Sequence, residues 1–198
     1  LAASAHSAGK TYEEAIGSRW KMETPMPEFV KHMVVKNVAD VEDVVKDVDF
    51  VFSAVNMPKD EIRAIEEEYA KTETPVVSNN SAHRWTPDVP MVVPEINAGD
   101  VKLHHGIISN PNCTTIVSLV AINALNHDSP IESIVASSYQ AVSGAGAGGP
   151  IELMNEVEAL SKGETYEPKV FSHQIAFNLI PQIGSEQFEG YTSEEMKM

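Results

Sequence analysis

Residues 50–78, FVFSAVNMPKDEIRAIEEEYAKTETPVVS, contain the pattern that decides the fold. The apolar run at residues 50–55 predicts a strand, Pro58 opens a predicted helix, and residues 75–78 predict a second buried strand. In the helix between them, apolar side chains recur at Ile62, Ile65 and Tyr69, which is helical spacing. A strand, a helix and a second short buried strand indicate a βαβ unit within a parallel sheet.

The segments before and after this unit continue the alternation of strands and helices. Residues 33–35 form a β-branched run that predicts a strand, and residues 40–46 predict an acidic helix. After residue 91 the pattern changes to loops with proline and asparagine, which end at a predicted strand over residues 107–109. The sequence therefore predicts an α/β fold with a parallel sheet.

A second region follows Cys113, where we expect the domain boundary, with domains at residues 1–112 and 113–198. Its predicted elements are an apolar helix, a long strand, a glycine-rich loop and a second helix, at residues 114–125, 131–142, 143–149 and 150–162. Apolar side chains cover most of the circumference of the first helix, which predicts that this helix is buried.

The chain is acidic: its 198 residues include 14 Lys and Arg against 29 Asp and Glu, a formal net charge of −15. This charge repels polyphosphate backbones and anionic lipid surfaces, so we expect no nucleic acid and no membrane partner. A single cysteine excludes an intramolecular disulfide, and no apolar run has the length of a membrane span. These features indicate a globular cytoplasmic protein. His104 and His105 lack spaced partners, so we expect no metal site.

Cys113 follows Asn110, Pro111 and Asn112 and stands at the start of the predicted apolar helix. Pro111 ends any strand and Asn112 is a favourable helix N-cap, which places the thiol in the first helical turn. The unpaired N–H groups and the helix dipole favour a thiolate there, and a thiolate is a nucleophile. This context favours a reactive cysteine over the alternative, a buried packing residue.

Five segments, in the same order, resemble the aspartate-semialdehyde dehydrogenase family, most closely its archaeal and fungal branch. Residues 109–115, SNPNCTT, resemble its nucleophile segment, and residues 78–84, SNNSAHR, resemble the segment whose arginine holds the substrate phosphate. The other segments are ASAHSAGK, SYQAVSGAG and EEMKM, at residues 3–10, 138–146 and 194–198. The resemblance implies a Rossmann-like NADP-binding domain without its first βα unit, followed by part of an α+β substrate and dimerisation domain.

The resemblance also implies the chemistry. The family reduces 4-aspartyl phosphate to aspartate 4-semialdehyde with NADPH, or runs the reverse reaction with phosphate, through a cysteine thioester. It serves lysine, methionine and threonine biosynthesis. The implied catalytic residues are Cys113 and Gln140; the implied substrate-binding residues are Arg84, Asn112, Glu194 and Lys197; the implied NADP-binding residues are Ser4, Ser7, Ala54, Asn79, Ser143 and Gly144. A homodimer or homotetramer is expected.

Gly144, Gly146 and Gly149 satisfy the G-x-G-x-x-G pattern of dinucleotide-binding loops, but the context argues against that role. The acidic residue expected about 20 positions on should end a second strand, whereas Glu164 and Glu167 lie in a polar stretch. The resemblance instead places Ser143 and Gly144 in a loop that approaches the nicotinamide, and puts the pyrophosphate loop before residue 1.

Several alternatives stay open on the sequence. From residue type alone, Gln140 can be an ordinary polar residue at a strand end, Arg84 a surface residue, and Glu194 with Lys197 a surface ion pair. The family's catalytic histidine would follow residue 198, and His6 replaces its usual NADP-binding arginine, so activity of the chain alone and strict NADP preference are both open. Other functions to weigh are malonyl-CoA reductase, N-acetylglutamyl-phosphate reductase and a noncatalytic α/β module.

Overall fold

Short parallel strands joined by helices form the first part of the chain in the computed structural model, which describes residues Leu1–Met198. Strand β1 (Ala2–Ala3) pairs in parallel with β2 (Lys36–Asn37). A separate parallel sheet has the order β3 (Val51–Ser53), β4 (Val76–Ser78), β5 (Ile107–Ser109). Its register aligns the last residues of the three strands, so the loops that follow them start at one edge of the sheet.

The helices of this region are α1 to α6, at Tyr12–Ile16, Glu28–Lys31, Val41–Val45, Lys59–Ala70, Pro94–Asn97 and Cys113–Asp128. Two 3-10 helices lie at Gly17–Arg19 and Ala98–Leu103. Helix α4 buries one face, and its Tyr69 packs in a core with Val38 and Val76. The Tyr69 hydroxyl donates a 2.8 Å hydrogen bond to the Val38 carbonyl, so this buried polar group is satisfied.

Contacts divide the chain into two compact units, Leu1–Pro130 and Ile131–Met198. The second unit contains α7 (Gly148–Ser161) and the antiparallel pair β6 (Glu186–Phe188) and β7 (Tyr191–Thr192). Two 3-10 helices, Val142–Ala145 and Glu195–Lys197, complete it. No helix of the chain is both long and apolar enough to cross a bilayer.

Two buried carboxylates on α7 hold the loop over residues 169–176. Glu152 accepts hydrogen bonds from the backbone N–H groups of Lys169, Val170 and Phe171, at 2.7, 2.8 and 2.9 Å. Glu156, one helical turn later, accepts from Ile175 and Ala176 at 2.8 and 2.7 Å. Burial raises the pKa of Glu152, but the three backbone donors outweigh it and leave this pKa below its ordinary value.

The structure confirms the parallel α/β sheet and most predicted elements of the first unit, and corrects three others. The strand predicted at residues 33–35 lies instead at Lys36–Asn37, where it pairs with β1. The strand predicted at residues 131–142 is absent, because no neighbouring strand supplies a hydrogen-bond ladder. No residue of α6 is buried, since its apolar residues surround the helix and no neighbour covers them all.

The expected domain boundary at Cys113 falls before the division between the compact units. Helix α6 belongs to the first unit, where the Asn123 side chain donates a 3.5 Å hydrogen bond to the Glu95 carbonyl of α5. A division by contacts reports packing and not function, so the boundary at Cys113 stays a prediction.

Candidate functional site

The turn between β5 and α6 presents Cys113 to solvent. Asn112 is 2% exposed, and its side-chain oxygen accepts hydrogen bonds from the Thr115 N–H at 2.7 Å and the Thr115 hydroxyl at 2.6 Å. Asn112 is thus the N-cap of α6, as predicted, and Cys113 is the first residue of the helix. The Cys113 side chain is exposed, which excludes the buried packing role.

The loop after β4 is bonded directly to this turn. The Arg84 guanidinium donates from Nε to the Asn110 carbonyl at 2.9 Å and from Nη2 to the Asn79 carbonyl at 3.2 Å. The Asn110 side-chain amide donates to Asn79 Oδ1 at 2.8 Å. Arg84, Asn79 and the turn that leads to Cys113 are therefore parts of one braced cluster, formed where adjacent parallel strands end.

This arrangement suits an electrophilic substrate that carries a negative charge. The exposed Cys113 thiol stands at the start of a helix, where backbone N–H groups can donate to a bound anion. A guanidinium can bind a phosphate or carboxylate with two parallel hydrogen bonds. Together they could hold an acyl phosphate or a phosphate ion near a cysteine that attacks a carbonyl carbon.

A cleft of about 670 Å³ lies beside the ends of β1 and β3. Ser4, Ser7 and Ala54, three of the predicted cofactor-binding residues, line it together. The Ser4 carbonyl accepts the N–H groups of Ser7 and Ala8 at 2.9 and 3.2 Å, which folds the segment after β1 into a turn. Clefts at the carboxyl ends of parallel strands are where open α/β sheets bind ligands.

Among the further residues that line the cleft are Lys10, Tyr12, Glu14, Arg19 and Met57, to which sequence reasoning gave no role. Lys10 and Arg19 bring positive charge beside the two serine hydroxyls, which fits a phosphorylated ligand. The Arg19 guanidinium also donates to the Ile16 carbonyl at 3.2 Å and to the Ala15 carbonyl, which holds it at the end of α1. Lys10 could have been found from its place in the same hydroxyl-rich turn, whereas Arg19 gives no comparable local signal.

Gln140, Ser143 and Gly144 belong to the second unit. Gln140 lies in an irregular segment instead of at a strand end as predicted, and its exposed side chain packs against Gly144. A Cβ atom on Gly144 would lie 2.6 Å from Gln140 Nε2, so a glycine lets the two residues approach each other. The structure gives the glycine pattern a packing role as well, because a Cβ on Gly149 would overlap the Val142 carbonyl.

Glu194 and Lys197 form a 2.8 Å ion pair in the second unit. Their side chains are 20% and 31% exposed; Glu194 is the N-cap of the 3-10 helix Glu195–Lys197, and Lys197 is its last residue. The ion pair that the sequence offered as the alternative to a substrate-binding role is thus present, and the substrate-binding role stays a prediction. A carboxylate and an ammonium held side by side could meet the amine and the carboxylate or phosphate of an amino-acid substrate.

Two family models match the chain. Residues 1–104 match the semialdehyde dehydrogenase NAD binding domain, and residues 122–198 match the semialdehyde dehydrogenase dimerisation domain. The turn with Cys113 lies between the two matched regions, so the matches leave the predicted domain boundary untested.

Individual relatives agree with the models. The chain is 47% identical over 133 residues to an aspartate-semialdehyde dehydrogenase of Aquifex aeolicus, an alignment that covers 66% of this chain and 39% of that protein. The crystal structure of aspartate semialdehyde dehydrogenase II from Vibrio cholerae complexed with ASA matches this chain with a TM-score of 0.79 and 34% sequence identity. The match covers 100% of this chain and 54% of the Vibrio chain. The crystal structure of an aspartate semialdehyde dehydrogenase with NADP from Candida albicans matches with a TM-score of 0.54 and 28% identity. That match covers 66% of this chain and 39% of the Candida chain. The chain spans about two fifths of the length of the curated relatives it matches.

Proposed function

The chain belongs to the semialdehyde dehydrogenase family, and we propose that it acts in an aspartate-semialdehyde dehydrogenase. The proposed reaction is the NADP-dependent reductive dephosphorylation of 4-aspartyl phosphate to aspartate 4-semialdehyde, and its reverse, in lysine, methionine and threonine biosynthesis. The observation that carries this proposal is the exposed Cys113 at the start of α6, in a turn that is hydrogen-bonded to Arg84.

In the proposed covalent step, the Cys113 sulfur attacks the acyl carbon of aspartyl phosphate. The carbon–sulfur bond forms, the carbon–oxygen bond to phosphate breaks, and phosphate leaves with the electron pair. Arg84 binds the phosphate before and after this step, and Asn112 caps the helix so that its N–H groups stay directed at the thiol. Gln140 is proposed to orient the substrate carbonyl, and Glu194 and Lys197 are proposed to bind the substrate amine and anion.

NADP is the proposed cofactor, and it supplies or accepts the hydride that interconverts thioester and aldehyde. The cleft lined by Ser4, Ser7 and Ala54 fits a dinucleotide, because hydroxyl and basic groups meet apolar side chains there. Lys10 and Arg19 would favour the extra phosphate of NADP over NAD, in place of the arginine that His6 replaces. Asn79, Ser143 and Gly144 are proposed to complete the cofactor site.

We further propose that the protein is cytoplasmic and self-associates as a homodimer or homotetramer through its dimerisation domain. Its substrates are aspartyl phosphate, the semialdehyde and phosphate. The archaeal and fungal branch stays a prediction, since the Aquifex relative is 47% identical and the Candida structure 28% identical to this chain.

Alkylation of Cys113 tests the proposal on this chain directly, because it is the only cysteine. We expect iodoacetamide to label the folded chain at neutral pH at least about 10-fold faster than the urea-unfolded chain. Phosphate should slow this labelling by occupying the site at Arg84. Equal rates in the folded and unfolded chain, with no effect of phosphate, would contradict the proposed function.

An activity assay separates this function from its alternatives. Reduction of NADP⁺ with aspartate semialdehyde and phosphate should exceed that with malonate semialdehyde and coenzyme A or with N-acetylglutamate semialdehyde and phosphate. Cys113→Ser should lower turnover by at least about 1,000-fold, while Ser129→Ala, at the other end of α6, should leave it unchanged. Turnover only with a competing substrate would reassign the protein within the cysteine-thioester reductases.

A further inference from the structure

A buried glutamate supports the loop that carries Arg84. Glu66, on the inner face of α4, is 2% exposed. Its Oε1 atom accepts hydrogen bonds from the Ser78 hydroxyl at 2.8 Å and from the Asn80 amide at 3.0 Å. The same Asn80 amide nitrogen lies 3.1 Å from the Ser53 hydroxyl, so the beginning of the loop is tied both to α4 and to the end of β3.

The second oxygen of Glu66 faces the end of the same loop. Glu66 Oε2 lies 3.7 Å from Nε2 of His83, which is 1% exposed, and neither atom has a hydrogen-bond partner. The other ring nitrogen of His83 lies 3.3 Å from the Thr86 hydroxyl. One carboxylate thus meets the loop at Ser78 and Asn80 and again at His83, the residue directly before Arg84.

Arg63 adds a third tie from the same face of α4. Its Nη2 atom donates a 2.8 Å hydrogen bond to the Ala82 carbonyl, and Arg63 and Glu66 are spaced i, i+3. Helix α4 therefore holds the loop through two charged side chains that point toward the sheet edge. An apolar residue at position 66 would extend the buried face that Ile62 and Tyr69 form, so packing alone does not call for a glutamate.

The position of the loop matters for Arg84, because its guanidinium links the loop to the turn that leads to Cys113. Arg84 reaches the Asn110 carbonyl at 2.9 Å, in the turn that leads to Cys113. A displacement of the loop by an ångström would break this bond and change where the guanidinium points. Such displacements of a ligand-binding side chain weaken the binding of the ligand.

We propose that Glu66 is a positioning residue, which fixes the loop over residues 78–84 so that Arg84 is set to bind phosphate beside Cys113. This inference rests on the proposed function, because it takes phosphate as the ligand of Arg84. Glu66 itself is buried beneath the loop and acts through the loop alone.

Hydrogen exchange and Cys113 labelling test the role of Glu66 in the whole chain. Glu66→Ala should speed amide exchange over residues 79–86 by about 10-fold and raise the phosphate concentration that half-protects Cys113 from iodoacetamide by about 10-fold. The labelling rate without phosphate should stay within about twofold of wild type, since Cys113 and its cap are untouched. A general loss of structure would change that rate as well.

Two further variants separate the hydrogen bonds from the charge. In Glu66→Gln the amide oxygen can still accept from Ser78 and Asn80, so phosphate protection should return to within about threefold of wild type. Asn80→Ala removes the hydrogen bonds from the Asn80 amide to Glu66 and to Ser53 but keeps the carboxylate, so it should raise the half-protecting phosphate concentration by about threefold. Glu68→Gln, at an exposed position on the same helix, is the matched control and should match wild type.

The outcomes distinguish the two proposals. If phosphate protects wild type and Glu66→Ala equally, or if exchange over residues 79–86 is unchanged, Glu66 does not position the loop. If Glu66→Ala fails to fold, equal phosphate protection in Asn80→Ala and wild type would overturn the inference in its place. If phosphate fails to protect wild type, the phosphate site of the proposed function falls and this inference falls with it.

Discussion

Buried glutamates hold two loops of the molecule, the loop over residues 78–84 in the first unit and the loop over residues 169–176 in the second. The two loops differ in the groups that donate hydrogen bonds to these glutamates. Glu66 receives side-chain hydrogen bonds from Ser78 and Asn80. Glu152 and Glu156 receive only backbone N–H groups, from Lys169, Val170, Phe171, Ile175 and Ala176. A side-chain tie requires particular residues in the loop, whereas a backbone tie accepts any residue with an N–H group. The first loop is therefore specified by its own sequence, and the second by the helix beneath it.

Removing Glu156 should have the largest effect on stability. Glu156→Ala leaves the N–H groups of Ile175 and Ala176 without their acceptor, and an unsatisfied buried group costs about 1–3 kcal/mol. We expect the second unit to lose about 3 kcal/mol of unfolding free energy. Both tryptophans lie in the first unit, so amide exchange over α7 and residues 169–178 in urea should report the change.

The matched control is Glu158→Ala, a substitution of the same type at an exposed position of α7. It should leave exchange over residues 169–178 unchanged. Equal effects of the two substitutions would show that the loop does not depend on a buried acceptor, and the contrast between the two loops would fail.

Acidification should release the backbone-held loop next. Burial raises the pKa of Glu152, yet the N–H groups of Phe171, Lys169 and Val170 outweigh it and hold the pKa below the ordinary value of 4.5. The folded carboxylate thus binds a proton less readily than the unfolded one. Its contribution to stability is full above 4.5 and is lost as the pH falls through the lowered pKa. Unfolding of the second unit, followed between about pH 6 and pH 2, should show this loss.

Glu152→Gln provides the comparison for the acid titration. The variant keeps one acceptor oxygen and has no carboxyl group to protonate at this position, so its stability should fall less steeply with acid than that of wild type. Parallel curves for the two proteins would mean that another group causes the loss, and that Glu152 holds residues 169–171 in both of its protonation states.

The contrast between the loops also explains how far the sequence could predict the molecule. Strand periodicity located β3, β4 and β5, and the Asn-Pro-Asn turn located Cys113 at the start of α6, because both signals are local. The strand predicted at residues 131–142 was wrong, since pairing depends on a partner that no local pattern reveals.

Buried carboxylates were missed for the same physical reason. Glu66, Glu152 and Glu156 resemble solvated helix residues by type, and only the loops packed on them show that they are buried. The sequence pattern indicates burial for Glu66 alone, because it lies between Ile62 and Tyr69 on the apolar face of α4. The substrate and cofactor roles came from motif resemblance, and the cleft shows that three of those residues, Ser4, Ser7 and Ala54, share one surface.

A smaller effect is expected when a side-chain tie at the nucleophile turn is removed. Asn112→Ala deletes the cap that accepts from the N–H and hydroxyl of Thr115, which should cost the first unit about 1 kcal/mol. Tryptophan fluorescence during urea unfolding should measure it. Asn112→Asp retains a capping oxygen and should keep most of this stability, but its negative charge should slow labelling of Cys113 by iodoacetamide. A full loss of stability in Asn112→Asp would argue against the capping role.

The smallest effect on stability should come from breaking the ion pair between Glu194 and the flexible side chain of Lys197. Lys197 and Glu194 form an ion pair with about a third and a fifth of their side chains exposed, so water and salt screen the attraction. Lys197→Ala should therefore change the unfolding free energy of the second unit by less than about 1 kcal/mol, and added salt should reduce the difference further. Urea unfolding at low and high salt, followed by exchange over α7, checks both points. If Lys197→Ala lowered the unfolding free energy as much as Glu156→Ala, side-chain ion pairs would also stabilise the second unit. The contrast between side-chain and backbone hydrogen bonds would then apply to the two loops and not to the whole units that contain them.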